Sequence, residues 1–486
     1  MKTFLFFISF LFCSFPGKPF CGFYVSKADG TLKNKTSQVI LVRDDNRTVL
    51  TMYNDFKGDV KDFAMVVPVP VVLQQSDIKV VDARIFETLN DYSKPRLVEY
   101  FDQNPCTKYE MDSQVRVMGY GNAKDKFFAK RLDDKISGVT IEASYTVGEY
   151  DILILSAKES SGLKNWLNDN GYKIPKGAEE VLDPYIKSNL KFFVVKVNLR
   201  EKEKAGLENL RPIQIRFNSP KFMLPIRLGM ANSDGDQDLL VYAFTRTGRI
   251  ETTNYRTVAI PTGEKVPLFV QKDFSSFYSN LFQHQCIRED KNIAFVEYAW
   301  NVSPSNYIKC DPCVSNPPTN EDLKSAGVWW IGQNKYNEYV NEYDKGNDQV
   351  YFTRLHVRYN RKSFPQDLFF QATPNTENFQ ARYIITHPAS GDFTCDAGRN
   401  YLKELKERRI REMETLSWLT GKDGDDWNVS FNDEENKNIT SESSYVKILA
   451  EINKEKGDNE LPAKGILLAS AIVLGCFTII RLKNKV

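Results

Sequence analysis

Histidine is nearly missing from this 486-residue chain: His284, His356 and His387 are the only three, and each is isolated in sequence. A local zinc site therefore has no ligand cluster to start from, since tetrahedral zinc needs four nitrogen or sulfur ligands. Also missing are G-x-S-x-G, H-E-x-x-H, a phosphate-cradling glycine loop and a dinucleotide fingerprint, so no motif-defined enzyme class is signalled. Charge of one sign is lacking too. With 65 Lys and Arg against 63 Asp and Glu, the balance of +2 gives no reason to expect nucleic acid as a partner. Two carboxylates brought together by folding leave no such signature, so an extracytoplasmic hydrolase stays as the alternative to a binding protein.

Long uncharged runs are confined to the ends. Residues 1–15, MKTFLFFISFLFCSF, place one Lys before an apolar run that Pro16, Gly17 and Pro19 then stop, the layout of a secretory signal. Cleavage is expected between Gly17 and Gly22. A lipidated Cys21 is the sharper reading, opposed by Phe20 and Lys18 where small and aliphatic residues belong. Residues 465–480, GILLASAIVLGCFTII, precede Arg481, Lys483 and Lys485. They make ~24 Å of helix at ~1.5 Å per residue. Residues 461–463 and a snorkelling Lys464 extend the segment towards a ~30 Å hydrocarbon core. The basic tail puts the C-terminus in the cytoplasm and the bulk of the chain outside. The LPAKG at 461–465 also resembles a cell-wall sorting signal, with Lys464 where that motif has Thr.

Setting aside Cys13 and Cys476 in these segments, six cysteines remain as disulfide candidates: Cys21, Cys106, Cys286, Cys310, Cys313 and Cys395. An even set outside the cytoplasm most simply forms disulfides. Cys310-Asp-Pro-Cys313 has the spacing of a thiol-disulfide oxidoreductase, but VSNPP follows it, and the first plausible helix cap is Thr319 with Asp322. A thiolate there lacks the helix N-terminus that would stabilise it, so structural pairing is preferred.

The 32 Phe and 23 Tyr favour strands. SQVILVRDDNRTVLTMYN at 37–54 reads as a hairpin about Asp44-Asp45-Asn46. DFAMVVPVPVV at 62–72 reads as an edge strand or an extended wall of a groove, because Pro68 and Pro70 lack donors. Strands are expected at 150–155 and 191–197, short helices at 160–172 and 177–188, and hairpins at 212–228 and 239–257, with Gly248 in a turn. Further strands are expected at NIAFVEYAW (293–301), at 350–359 and at 380–386. Residues 400–420 read as an amphipathic helix with Leu402, Leu405, Met413 and Leu416 on one stripe and Gly421 as its stop. The fold class is α+β and strand-rich, with antiparallel sheets, a few short helices, one long amphipathic helix and a C-terminal transmembrane helix. The expected organisation is a signal peptide at 1–21, a β-rich domain at 22–256 and a second α+β region at 257–421. A polar stalk at 422–460, the transmembrane helix at 461–481 and a basic tail at 482–486 follow.

Five blocks carry a resemblance: CGFYVSKADG from Cys21, DFAMVVPVPV from Asp62, NDYSKPRLVEYF from Asn90, GLKNWLNDNGYKIPKGAEEVLDPYI from Gly162 and LRPIQIRFNSPKFMLPIRLG from Leu210. Together they cover about residues 21–255 and are similar, in order, to the domain of unknown function 2330 family. The resemblance implies an exported, mostly bacterial and often membrane-anchored protein. It carries over no catalytic residue, substrate or cofactor.

Two binding features remain. SDGDQD spaces Asp234, Asp236 and Asp238 at alternate positions, as calcium ligands would be. An EF-hand loop would need Gly in place of Leu239 and Glu in place of Thr245, so a solvated turn is the default. Trp300, Trp329 and Trp330, with Tyr298 and Tyr307 nearby, suggest a stacking platform for sugar rings or an apolar peptide, against which stands burial in the core. The reading is a membrane-anchored extracytoplasmic binding or structural module. It has no cofactor, resident metal or nucleic acid; its partners are the membrane, through the C-terminal helix, and an extracellular or periplasmic ligand.

Overall fold

Alternating apolar residues drive the expected hairpin: β1 (Thr36–Asp44) pairs antiparallel with β2 (Arg47–Met52), and Asp45 takes φ 48° between them. Asp tolerates that left-handed turn because its short polar side chain can bond locally. This computed structural model describes residues 23–24, 36–53, 64–107, 139–170, 178–207, 210–232, 235–304, 315–332, 336–337, 342–343, 348–422 and 427. They fall into two units: residues 1–98, 116–263 and 278–383 in the first, and 99–115, 264–277 and 384–486 in the second.

In the first unit the hairpin sits inside a nine-stranded sheet. Its other members are β3 (Ile78–Val80), β4 (Ile213–Asn218), β5 (Gln237–Thr245), β6 (Arg256–Ala259), β7 (Ile293–Asn301), β8 (Tyr351–Tyr359) and β9 (Phe379–Gln380). The order is β6-β7-β8-β5-β1-β2-β4-β3, with β9 beside β7. The pairs β5–β1 and β6–β7 are parallel and the others antiparallel. Because β5 joins β1 to β8, one sheet takes strands from both sides of the boundary expected at residue 256.

Period-2 alternation gives this sheet two apolar faces. Val39, Leu41, Leu50, Ile213, Ile215 and Val241 face a five-stranded sheet, ordered Phe23–Tyr24, Ala64–Val69, Lys191–Val197, Tyr150–Ala157, Val139–Val147. On the opposite face Ile40, Val42, Val49, Tyr242 and Phe352 meet α1 (Arg84–Ser93) and α6 (Asn320–Ala326). The outer face of the smaller sheet is closed by α2 (Ser160–Asp169) and α3 (Ala178–Lys187), through Leu163, Trp166, Leu167 and Leu182. The layers thus run helix, sheet, sheet, helix, with each fully buried Leu or Phe contributing roughly 1.5–3 kcal/mol. The remaining helices are α4 (Leu199–Lys204), α5 (Phe274–Arg288) and α7 (Asp396–Thr420).

Several expectations change. The strand containing Pro68 lies inside its sheet, paired with Lys191–Val197 on one side and, among the described residues, with Phe23–Tyr24 at Val66 and Met65 on the other. The hairpins expected at 212–228 and 239–257 do not form. Strand β4 pairs with β2 and β3, while β5 pairs with β1 and β8. Local turn signals there are overruled by long-range burial. Gly248 is still required, since a Cβ there would run into the backbone carbonyls of Thr373 and Asn375.

In the second unit α7 runs Asp396–Thr420 and ends at Gly421, φ 67°. Its buried stripe is Leu405, Arg409, Glu412, Leu416 and Leu419, and Leu402 is exposed. The inward face therefore carries an ion pair, Arg409 Nη1 to Glu412 at 2.6 Å, and Arg409 also donates to the Thr386 carbonyl at 3.0 Å. A disulfide joins Cys106 to Cys395, with Cα atoms 5.9 Å apart. Gly398 is packed against it, since a Cβ there would lie 2.7 Å from the Cys106 sulfur. The signal, stalk and transmembrane segments lie outside the described residues except for Lys422 and Trp427. Among the described residues no helix is long and apolar enough to cross a membrane.

Candidate functional site

Two clusters of charge stand out on the helix-covered face of the large sheet. In the first, residues at alternate positions of β8 (Arg354, His356 and Arg358) point under α1 and α5. Opposite them a β-bulge between Val296 and Tyr298 inserts Glu297, the kind of irregularity that re-aims a side chain. Glu297 is fully buried; it accepts from Arg354 Nε at 2.6 Å, lies 2.7 Å from His356 Nδ1 and accepts the Tyr278 hydroxyl. Burial alone would raise its carboxyl pKa, but Arg354 and His356 outweigh burial and hold it well below the usual range. For His356, burial disfavours the imidazolium, and Glu297 and Asp238 overcome this and raise its pKa.

Asp238 receives Arg358 at 2.7 and 2.8 Å and lies 3.6 Å from His356 Nε2. Phe282 of α5 stacks on the imidazole at 3.7 Å between centroids. A cavity of about 10 Å³ beside Arg358 is lined by Asp236, Gln283, Cys286, Lys291, Arg358 and Ser363, room for about one water. Glu297 has no exposed surface and His356 is mostly covered, and the network ties helices to sheet.

The second cluster lies where the α6 cover runs out over β2, β4 and β3. The same face that carries Val49 inward carries Arg47, Lys79, Gln214 and Arg216 here, as the strand registers dictate. With Lys324 of α6 and the wall of Trp329 they line a cleft of about 460 Å³ that also includes Ser76 and Asp77. The cleft floor is built by the end of α6. Thr319 and Asp322 form the capping box anticipated from sequence, and Gly327 terminates the helix at φ 107°. A Cβ at Gly327 would stand 2.6 Å from Val49 Cγ1, so only glycine lets the turn lie on the sheet. Gln214 Nε2 locks the junction, donating to Thr51 Oγ1 at 2.7 Å and to the Ser325 carbonyl at 3.0 Å.

Among the described residues, Arg216 is the one of the four cations paired with a carboxylate, Asp77 at 2.9 Å. Arg47 lies over the Trp329 ring at 4.4 Å, and Lys79 and Lys324 have no acidic partner among the described residues. Lys79 is accessible from the cleft yet crowded by its walls, so partial desolvation and then Arg216 lower its ammonium pKa.

The tryptophans part company. Trp329 lines the cleft, Trp330 is buried with its indole N–H on the Gln349 carbonyl, and Trp300 packs half-buried along Tyr298. A three-tryptophan platform does not form. Asp238 is engaged by Arg358, Asp236 accepts from Asn360, and Asp234 lies outside the described residues; among the described residues no acidic, His and Cys cluster could hold a metal. Cys286, expected among the disulfides, is a free buried thiol on α5 whose pKa burial pushes up to about 12, which removes it as a nucleophile. Cys21, Cys310 and Cys313 lie outside the described residues.

Sequence reasoning passes over the cleft cations because none belongs to a motif. The alternation Gln214-Ile-Arg216-Phe-Asn218 is a legible sign of a strand with one polar face, but what faces Arg216 is set by the fold. No curated protein and no solved structure matches this chain. The profile of an uncharacterized protein family conserved in bacteria matches residues 15–371, extending the resemblance through α6 and β8, and the chain belongs to that family, DUF2330.

Proposed function

We propose that this protein is an extracytoplasmic binding module that takes an anionic ligand into the cleft between α6 and the β2–β4–β3 edge. The observation that carries the reading is the convergence of Arg47, Lys79, Arg216 and Lys324 on one cavity with a single acid, Asp77, among them. Placing uncompensated cations in a concave site concentrates field and favours anion entry. The Glu297 network is buried beside α5, which favours binding at the open cleft over hydrolysis at Glu297. The Cys106–Cys395 disulfide supports an oxidising compartment. In this reading residues 1–21 export the chain and 461–481 hold it to the membrane with the N-terminal bulk outside.

Calorimetric titration of the purified protein with a panel of small anions tests it. Binding that disappears in Lys79→Glu/Lys324→Glu supports the cleft; an unchanged isotherm removes it. Protease accessibility of the folded part on intact cells tests the location, and protection from added protease contradicts it.

A further inference from the structure

The cleft's chemistry narrows the ligand beyond "anionic", and this inference rests on the binding reading above. The cations outnumber Asp77 by three, so a ligand with one negative charge leaves the site strongly unbalanced. A phosphate monoester carries about −1.5 to −2 at neutral pH and offers three acceptor oxygens. A carboxylate or sulfate ester brings a single charge. The four cations come from four different elements: the registers set Arg47, Arg216 and Lys79 in a diagonal row across β2, β4 and β3, and Lys324 of α6 lines the same cleft.

The rest of the cleft is not shaped for inorganic phosphate alone. Its volume of about 460 Å³ lies within the ~300–1,000 Å³ of small-molecule sites. Trp329 supplies a flat apolar wall, and the Arg47 guanidinium at 4.4 Å over the ring fixes a donor fork beside it, the geometry arginine uses for phosphate. Ser76 and Asp77 contribute hydroxyl-directed groups. Asp77 already accepts from Arg216 Nε and the Gln74 amide at 2.9 Å each, and carboxylate oxygens have lone pairs to spare for a sugar hydroxyl.

We infer that the cleft binds a phosphorylated sugar, with the phosphate monoester among Lys79, Arg216, Lys324 and Arg47 and the ring against Trp329. A dianion beside Lys79 favours its charged form and so offsets the burial and the Arg216 charge that lower its pKa. The same chemistry is offered by a free hexose phosphate and by a phosphorylated residue at the end of a glycan.

The test is calorimetry on the full chain in detergent with four hexose phosphates (glucose 6-phosphate, mannose 6-phosphate, galactose 1-phosphate and N-acetylglucosamine 6-phosphate), alongside glucose, inorganic phosphate, glucose 6-sulfate and a phosphorylated oligosaccharide. At least one hexose phosphate is expected to bind about tenfold or more tightly than both inorganic phosphate and the sulfate ester, and glucose is expected not to bind. Lys324→Glu, an exposed position, should abolish binding. Trp329→Ala should bring the hexose phosphate down to the level of inorganic phosphate. Tighter binding of the oligosaccharide than of any monosaccharide identifies a glycan end as the source, and the reverse identifies a free sugar phosphate. If the sulfate ester binds as well as every hexose phosphate, and Lys324→Glu still abolishes both, the anion-binding reading stands and the phosphorylated sugar is overturned. If nothing in the panel binds, or binding ignores Lys324, both readings fall.

Discussion

Replacing Glu297 by Gln removes one charge from a fully buried site while keeping volume and one acceptor. In the native protein that carboxylate answers Arg354, itself 6% exposed, at 2.6 Å and His356 at 2.7 Å. Breaking a buried ion pair from one side leaves an uncompensated charge and costs about 3–5 kcal/mol. Asn90 Oδ1, 2.9 Å from Arg354 Nη1, is neutral and cannot replace the charge, so about 3 kcal/mol is expected. Urea unfolding at neutral pH should show this as a fall of about 1 M or more in midpoint.

The pH dependence adds a second signature. The Glu297 carboxyl is held down to about 2 against about 4.3 unfolded, so its contribution is fully present above pH ~4.3 and is lost as pH falls towards 2. His356 is raised, so its contribution is present below about 6.5 and lost as pH rises through its folded value. Asp238 shares the acid limb, and subtracting the Glu297→Gln profile from that of the parent isolates the Glu297 part. The subtraction should also reveal a shrunken alkaline limb, because His356 has lost its nearest acid. A loss below about 1 kcal/mol with parallel pH profiles would refute the ion-network account.

Three further outcomes follow from particular residues. Gly327→Ala combines a left-handed backbone with a clash on Val49 and should cost about 1–3 kcal/mol, lowering the melting temperature while weakening ligand binding at the cleft beside it. Reduction of Cys106–Cys395, which closes a separation of 289 residues, should destabilise the second unit by roughly 2–5 kcal/mol, seen as an early calorimetric transition only with reductant. Cys286, buried with its thiol pKa raised, should resist alkylation in native protein and react only after unfolding, as mapped by peptide mass.

The legible part of the fold is the part governed by local rules. The β1–β2 hairpin, α2, α3, the Thr319 cap and the Gly421 stop each follow from turn chemistry or periodicity within a few residues. What pairs with β4 or β5 is illegible for the opposite reason: their partners lie far away along the chain, and the adjacent turn residues at 219–222 and 246–249 mimic hairpin signals. On α7 the hydrophobic stripe points to Leu402, yet the buried line passes through Arg409 and Glu412, since two charges that neutralise each other can occupy positions that neither could alone. The cleft shows the same limit. Trp329 is conspicuous as one of a pair, but nothing in Trp329-Trp330 says which ring is core, and Arg47, Lys79, Arg216 and Lys324 become a site only when four elements converge.

The most direct measurement of the central claim is salt-dependent calorimetry of a hexose phosphate with the parent protein and with Lys79→Glu/Lys324→Glu. Affinity is expected to fall steadily as ionic strength rises, because accessible charges are screened, with no measurable binding by the double variant at any salt. Affinity indifferent to salt, or retained by the double variant, would contradict it.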